Sequence, residues 1–181
     1  MSQKYDTVVN TPFRRLGLQF KNDALSSVVF LDAEDEVKKS LEICAMEATA
    51  QLKRYAMDAD FSFDLPLYLD GTPFQKKVWQ AIREIPKGEV QSYGDIAKKI
   101  GSSARAVGNA CAKNPVPVVI PCHRVVSAKD LGGYCGETFE KSPRGLIRIK
   151  GWLLLHEGVL KAQVEGQDVS TTDEEPEAKP H

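Results

Sequence analysis

The sequence predicts an α+β protein, with a small N-terminal α/β unit over residues 1–70 and a mainly helical C-terminal unit over residues 71–162. Three observations predict it. Short β-prone runs separated by turn residues come first. A long Gly- and Pro-free stretch with helical periodicity follows. Beyond residue 71, helix-capping and helix-ending residues recur at short intervals. With 181 residues, 42% of them hydrophobic, the chain can bury a real core as one large domain or two small ones.

Taken in order, Asp6–Val9, Arg15–Lys21 and Ser26–Phe30 read as short strands, with Asn22-Asp23 as the turn between the last two. Glu34 to Met57 holds no Gly or Pro and spaces Val37, Leu41, Cys44 and Ala48 helically, so the whole stretch is expected to be helix. Phe61, Phe63, Leu65, Leu67 and Leu69 alternate with Ser62, Asp64, Pro66, Tyr68 and Asp70. That is a strand with one buried face, which Pro66 places at a sheet edge. None of these residues offers an obvious chemistry, so the N-terminal unit reads as scaffold.

Thr72-Pro73-Phe74-Gln75 has the form of a helix start, with Thr72 as cap, Pro73 in the first turn and Gln75 set for a capping box. Phe74, Val78, Trp79, Ile82 and Ile85 form its apolar stripe, and Pro86-Lys87-Gly88 ends it. Ser92 with Asp95 opens a shorter helix that runs to Ile100, which Gly101 closes in the left-handed conformation. Ser102 or Ser103 caps a third helix, to about Lys113. The segment from Gln163 to His181 has little to bury and is expected to be a disordered acidic tail.

Composition excludes several classes. No apolar run approaches the roughly eighteen residues of a membrane helix, and the polar stretch Met1 to Asn10 is not a secretory signal. Cys44, Cys111, Cys122 and Cys135 show no C-x-x-C spacing, and three histidines accompany them, which argues against a zinc finger or a disulfide framework. An intracellular, reducing compartment is expected. Residues 72–150 carry 14 basic and 6 acidic side chains, whereas residues 1–71 carry 8 and 12. The middle of the chain is therefore the part able to attract a polyanion, or else an ordinary mixed solvated surface.

Two short helices joined by a Gly-containing turn form a helix-turn-helix pattern. On the second helix Val107, Ala110 and Cys111 face the core, while Arg105, Gly108, Asn109 and Ala112 face out. That outer face is nearly flat. It suits close approach to the minor groove, about 6 Å wide, with Arg105 filling the gap left by an extruded nucleotide. Tight helix–helix packing through Gly108 and Ala112 is the competing reading. Farther on, the apolar run Pro115 to Pro121 reads as a stiff extended strand that delivers Cys122-His123-Arg124. A thiol beside imidazole is a sensible activated nucleophile, through a water since neighbours on a strand point apart. A small buried hydrophobe is the competing reading for Cys122, and it fits Cys44 and Cys111.

Residues 72–158 resemble the O6-alkylguanine-DNA alkyltransferases, single-use repair proteins. The strings that carry the resemblance are Thr72-Pro73-Phe74-Gln75 with Val78-Trp79, Ser92-Tyr93, Arg105-Ala106-Val107-Gly108, Asn114-Pro115-Val116-Pro117, Ile120-Pro121-Cys122-His123-Arg124-Val125 and Leu155-His156-Glu157-Gly158. The resemblance implies a ribonuclease-H-like N-terminal unit and irreversible transfer of the O6-alkyl group of guanine to Cys122. His123 would be the base through water, Glu157 its orienting carboxylate, and Asn114 the tie between the second helix and the cysteine. Tyr93 would press on a phosphate and offer its proton to the guanine. Ser92, Ala104, Arg105 and Gly108 would meet double-stranded DNA, and Val125, Tyr134, Cys135, Gly136 and Lys150 would border the base pocket. Trp152 would be a pocket-wall or, more readily, a packing group. Lys150 could equally be a solvated helix charge.

The resemblance also implies a monomer with no cofactor, and duplex DNA carrying O6-alkylguanine or O4-alkylthymine as partner. The zinc ligands of some relatives have no counterparts in the N-terminal part, so no metal is expected; without a long apolar run or a targeting signal, no membrane and a bacterial cytoplasm or a nucleus are expected. Two departures stand out. The loop through Glu137–Arg144 is longer than in compact members, and Cys135 stands where a small or hydroxyl residue is usual, as a candidate second thiol. Three other functions compete: a noncatalytic alkyl-DNA sensor resembling the alkyltransferase-like proteins, which lack the acceptor cysteine; a cysteine hydrolase; and a transcription regulator that uses only the helix pair.

Overall fold

A computed structural model describes residues 4–159; the expected acidic tail lies outside the described residues. The chain is mixed α/β, with two small sheets and five helices among the described residues. Strands β1 (Thr7–Asn10), β2 (Arg15–Lys21) and β3 (Ala24–Leu31) form an antiparallel meander. Asn22 and Asp23, at φ 54° and 63°, make the two-residue turn between β2 and β3. Positive φ at both turn positions matches the right-handed twist of the strands, and Asn and Asp tolerate it.

Helix α1 spans Ile43–Met57, and here one expectation fails, because residues 34–42 are not helical. The amide of Val8 donates to Lys38 O at 2.8 Å and the amide of Lys38 to Val8 O at 3.2 Å, so this segment is drawn onto the free edge of β1. Its apolar residues are not drawn into the core either, with Val37 47% and Leu41 90% exposed. Residues 61–69 also depart from expectation. Exposure alternates as predicted, but the segment is a strap rather than a strand, joined to β3 by one parallel bridge, Leu25 to Leu67. Pro66 supplies only a carbonyl, and Gln51 holds Asp64 in place of a strand partner, donating to its carbonyl (3.1 Å) and accepting from its amide (2.9 Å).

Helix α2 (Pro73–Arg83) starts with the expected capping box: Thr72 Oγ1 accepts from the Gln75 amide and Gln75 Oε1 from the Thr72 amide, both at 3.0 Å. Thr72→Ala should cost about 1 kcal/mol, read as a lowered melting temperature. Helix α3 (Tyr93–Ile100) has the same device, Ser92 with Asp95, and ends on Gly101 at φ 71°. Ser103 caps α4 (Ala104–Ala112). The indole N–H of Trp79 on α2 donates to Ala110 O on α4 at 2.9 Å, so the buried aromatic anchor of α2 also fixes α4.

The run from Pro115 to Pro121 is not the expected extended strand. It folds back on itself, with Val118 at φ 77° and the Ile120 amide bonded to Val116 O at 2.9 Å. A β-branched residue at positive φ is held only where its surroundings fix it, and Asn114 does so here. A 3-10 turn (Cys122–Arg124) follows, then the two-residue strand β5 (Val125–Val126), parallel to β4 (Gln91–Ser92). This short pairing fastens the start of α3 to the end of the cysteine turn. Helix α5 (Leu146–His156) closes the described chain. One buried cluster runs from Leu16, Leu18 and Leu52 to Val78, Ile82, Ile120 and Leu153, across both halves. No helix among the described residues is long and apolar enough to cross a membrane.

Candidate active site

Cys122 is buried at the start of the 3-10 turn. Asn114 builds its surroundings: Nδ2 donates to Ile120 O at 2.9 Å and to Cys122 Sγ at 3.2 Å, and Oδ1 accepts from the Val116 amide at 3.0 Å. One side chain therefore shapes the turn and aims a donor at sulfur. Cys135 lines the same pocket, and hydrogen bonding to it, the Asn114 amide and the nearby Lys150 ammonium together hold the Cys122 thiol below its ordinary value, against the effect of burial.

His123 is fully buried and has no direct hydrogen bond to Cys122 among the described residues. Its Nε2 lies 3.0 Å from Glu157 Oε2, and its Nδ1 is buried without a partner among the described residues. Glu157 also accepts from Tyr55 Oη at 2.7 Å and from Arg124 Nε at 2.9 Å and Nη2 at 3.0 Å. Burial alone would raise this carboxyl, but His123 and Arg124 hold it well below the usual range. An ionised carboxylate only accepts, so Nε2 carries the imidazole proton and Nδ1 presents a lone pair. Burial outweighs Glu157 and pushes His123 below its ordinary value, leaving a neutral base.

Tyr93 opens α3. Its hydroxyl donates to Gly133 O at 3.4 Å and accepts from the Gly133 amide at 3.2 Å, and burial pushes the phenol up. Gly132 is required beside it: at φ 76° it is in the left-handed region, and a Cβ there would come within 2.8 Å of Tyr93 Oη. Lys150 is buried rather than solvated. Its Nζ donates to Val125 O at 2.7 Å, to Gly133 O at 2.8 Å and to Leu131 O. Burial pushes it down to about 8. The lysine thus ties the cysteine turn to the loop that carries Tyr134 and Cys135.

Tyr93, Cys122, Tyr134, Cys135 and Gly136 line one pocket together with Gly108 and Ala112, the small residues of α4. The flat helix face therefore opens onto the sulfur. Arg105 and Ala104 are exposed at the start of α4, and Ser92 is occupied as the cap of α3. Tyr134 is buried, with its hydroxyl unpartnered among the described residues. The loop after the pocket is tied down: the Glu137 carboxylate accepts from the amides of Arg144 and Leu146, each at 3.0 Å, and Arg144 Nη2 donates to Phe30 O at 2.9 Å. Trp152 packs, stacking on His156 with centroids 4.7 Å apart.

Two residues of the network were not expected from sequence. Arg124 had a signal in its place in the cysteine string. Tyr55 had none, since it lies on α1, 102 residues from Glu157.

A family model described as "6-O-methylguanine DNA methyltransferase, DNA binding domain" matches residues 73–159. The constitutive methylated-DNA–protein-cysteine methyltransferase of Bacillus subtilis is 40% identical over a 148-residue alignment that covers 75% of this chain and 89% of that one. A methylated-DNA–protein-cysteine methyltransferase of Archaeoglobus fulgidus is 41% identical over 109 residues, 58% of this chain and 74% of its own. The crystal structure of Mycobacterium tuberculosis O6-methylguanine methyltransferase superposes with a TM-score of 0.69 at 32% identity, over 92% of this chain and 97% of that one. The structure of Mycobacterium tuberculosis OGT in complex with DNA superposes with a TM-score of 0.64 at 34% identity, over 83% and 90%.

Proposed function

Because this chain belongs to the methylated-DNA–protein-cysteine methyltransferase family, we propose that Cys122 is the acceptor in a single-use repair of O6-alkylguanine in duplex DNA. The protein binds DNA and repairs it by alkyl transfer. The observation that carries the assignment of Cys122 is its sulfur, held toward the thiolate by Asn114 and Cys135 in a pocket floored by the small face of α4.

Each residue then has a task. The Cys122 proton passes to His123 Nδ1 through a bridging water, and Glu157 stabilises the imidazolium that results. The thiolate attacks the alkyl carbon in line. An S–C bond forms, the C–O6 bond breaks, and the electron pair stays on the guanine, which takes a proton from the Tyr93 side of the pocket. The carbonyl of Val125 and the backbone of Cys135 and Gly136 read the base edge, with Lys150 holding those segments in register. The thioether is stable, so each molecule reacts once.

On the DNA side, α3 and α4 act as a helix-turn-helix that offers Ser92, Ala104 and Gly108 to the minor groove. Arg105 fills the stack where the nucleotide leaves. Residues 1–70 act as a ribonuclease-H-like scaffold domain and residues 71–162 as the DNA-binding domain, in a monomer working in a cytoplasm or nucleus.

The test is duplex DNA bearing radiolabelled O6-methylguanine. Label should move to protein one-for-one and stop. Continued turnover would point to a hydrolase, and tight binding without transfer to a sensor. Arg105→Ala should slow repair in duplex about tenfold more than reaction with the free alkylated base, because only the duplex reaction pays for extrusion; equal losses on both substrates would contradict the finger role.

A further inference from the structure

Three of the four cysteines, Cys111, Cys122 and Cys135, line the same pocket. Cys122 stands on the 3-10 turn and Cys135 on the turn closed between Tyr134 and Glu137, whereas Cys111 is held within α4. The alkyl transfer described above takes one sulfur and leaves that of Cys135 without a covalent task. Yet Cys135 is held with care. It sits at φ 50°, in the left-handed region, with Gly136 at φ 89° after it. The turn is closed by the Tyr134 amide to Glu137 O at 2.8 Å and the Glu137 amide to Tyr134 O at 2.9 Å. On one side the buried Glu137 carboxylate fixes it through Ser142, Arg144 and Leu146. On the other side Lys150 Nζ and Tyr93 Oη grip Gly133. A side chain in a disfavoured backbone state persists only where its surroundings over-determine it, and such places gather at functional sites.

We propose that Cys122 and Cys135 are a dithiol oxidation site, in which a peroxide oxidises Cys122 and Cys135 resolves the product as an intramolecular disulfide that thiols reopen. The inference rests on the reading of Cys122 as the reactive thiolate of this pocket. In the first step the thiolate attacks the peroxide: an S–O bond forms, the O–O bond breaks, and Cys122 becomes a sulfenic acid as hydroxide leaves. In the second, the Cys135 sulfur attacks that sulfenic sulfur. An S–S bond forms, the S–O bond breaks, and the oxygen departs as water with the Cys135 proton. Two thiols and one hydrogen peroxide thus give one disulfide and two waters. Two molecules of an external thiol return both cysteines and become a disulfide themselves.

Cys135 is the resolving thiol rather than Cys111 because it lines the pocket from an irregular turn at positive φ, outside any helix. Cys111 is fixed within helix α4. Cys44 is on α1, outside the pocket. The consequence bears on a molecule that acts once. Over-oxidation to the sulfinic acid would destroy the acceptor before it met a lesion, whereas the disulfide keeps it recoverable.

The experiment takes the reduced full-length protein, adds an equivalent of hydrogen peroxide, blocks free thiols with iodoacetamide and maps peptides by mass spectrometry. The expected result is a Cys122–Cys135 cross-link, lighter by two hydrogens, with Cys44 and Cys111 carrying the blocking group. Methyl-transfer activity should fall as the link forms and return on adding dithiothreitol. In Cys135→Ser the link is absent, and peroxide should remove activity that dithiothreitol no longer restores, each measured against that variant's own reduced activity. Cys111→Ser should still form the link. Cys122 found as sulfinic acid or joined to Cys111, with Cys135 free, would overturn the inference. Absence of methyl transfer in the reduced protein would overturn the proposed function instead, because the peptide map reads the link without it.

Discussion

Cys122→Ala should abolish alkyl transfer, lowering its rate by at least about 10⁴-fold, while the protein stays folded and binds DNA. The loss is this large because no neighbour can stand in. Cys111 and Cys135 share the pocket, but in the variant burial still holds both thiols up, and neither stands where Asn114 Nδ2 meets the acceptor sulfur. Neither sulfur is held toward the thiolate as that of Cys122 is by Asn114, and an alkyl group on oxygen, unlike a sulfenic sulfur, is too weak an electrophile for a thiol. The Asn114 side chain keeps its bond from Nδ2 to Ile120 O and the one its Oδ1 accepts from the Val116 amide in the variant, so the turn should survive. Removing one buried sulfur should cost about 1 kcal/mol, well short of unfolding a domain. Label transfer from methylated duplex, read beside a gel shift on the same DNA, separates the two effects. Transfer within tenfold of the wild type would mean that the acceptor is another residue.

What could be read from the sequence is what is decided locally. The capping boxes at Thr72 and Ser92, the Gly101 stop and the Asn22-Asp23 turn each depend on residues within one helical turn or one hairpin. The failures share a different cause, a partner distant in the chain. Residues 34–42 carry a helical pattern, but Val8 offers a sheet edge to Lys38, and the backbone takes it. The alternation over residues 61–69 correctly reports which side chains turn inward. It cannot report that, among the described residues, Leu25 alone bridges to them. The Pro-flanked run before Cys122 looks extended because its fold-back is imposed by the Asn114 side chain and by Val118 at positive φ, neither of which has a periodic signature. The same division runs through the site. Cys122, His123 and Glu157 stand in recognisable strings. The burial of Lys150 depends on carbonyls from two separate segments, and Tyr55 reaches Glu157 from the other half of the chain.

That distant contact sets the second large effect. Glu157→Gln should destabilise the protein by about 3–5 kcal/mol and slow alkyl transfer about 10²-fold or more. Oε2 accepts from Tyr55, His123 and Arg124 Nη2 at once, and Oε1 accepts from Arg124 Nε. A carboxamide has one oxygen, so in either orientation its NH₂ group is pressed against donors and the Arg124 charge loses its partner. His123 also loses the acceptor that fixes its proton on Nε2, and with it the lone pair on Nδ1 that serves as base. The pH dependence of stability gives an independent reading. The folded His123 is held below its ordinary value of 6.5, so the unfolded chain takes up that proton first and stability falls as pH drops below about 6.5. The folded Glu157 is held below its ordinary value of 4.5, so a second loss begins below about 4.5 as the unfolded carboxylate protonates first. Glu157→Gln has no carboxyl to titrate, and its urea-unfolding free energy, measured from pH 7 down to pH 3, should keep the first decline and lack the Glu157 contribution to the second. An unchanged second decline in the variant would show that the buried carboxylate is not the group that carries the acid sensitivity of the fold.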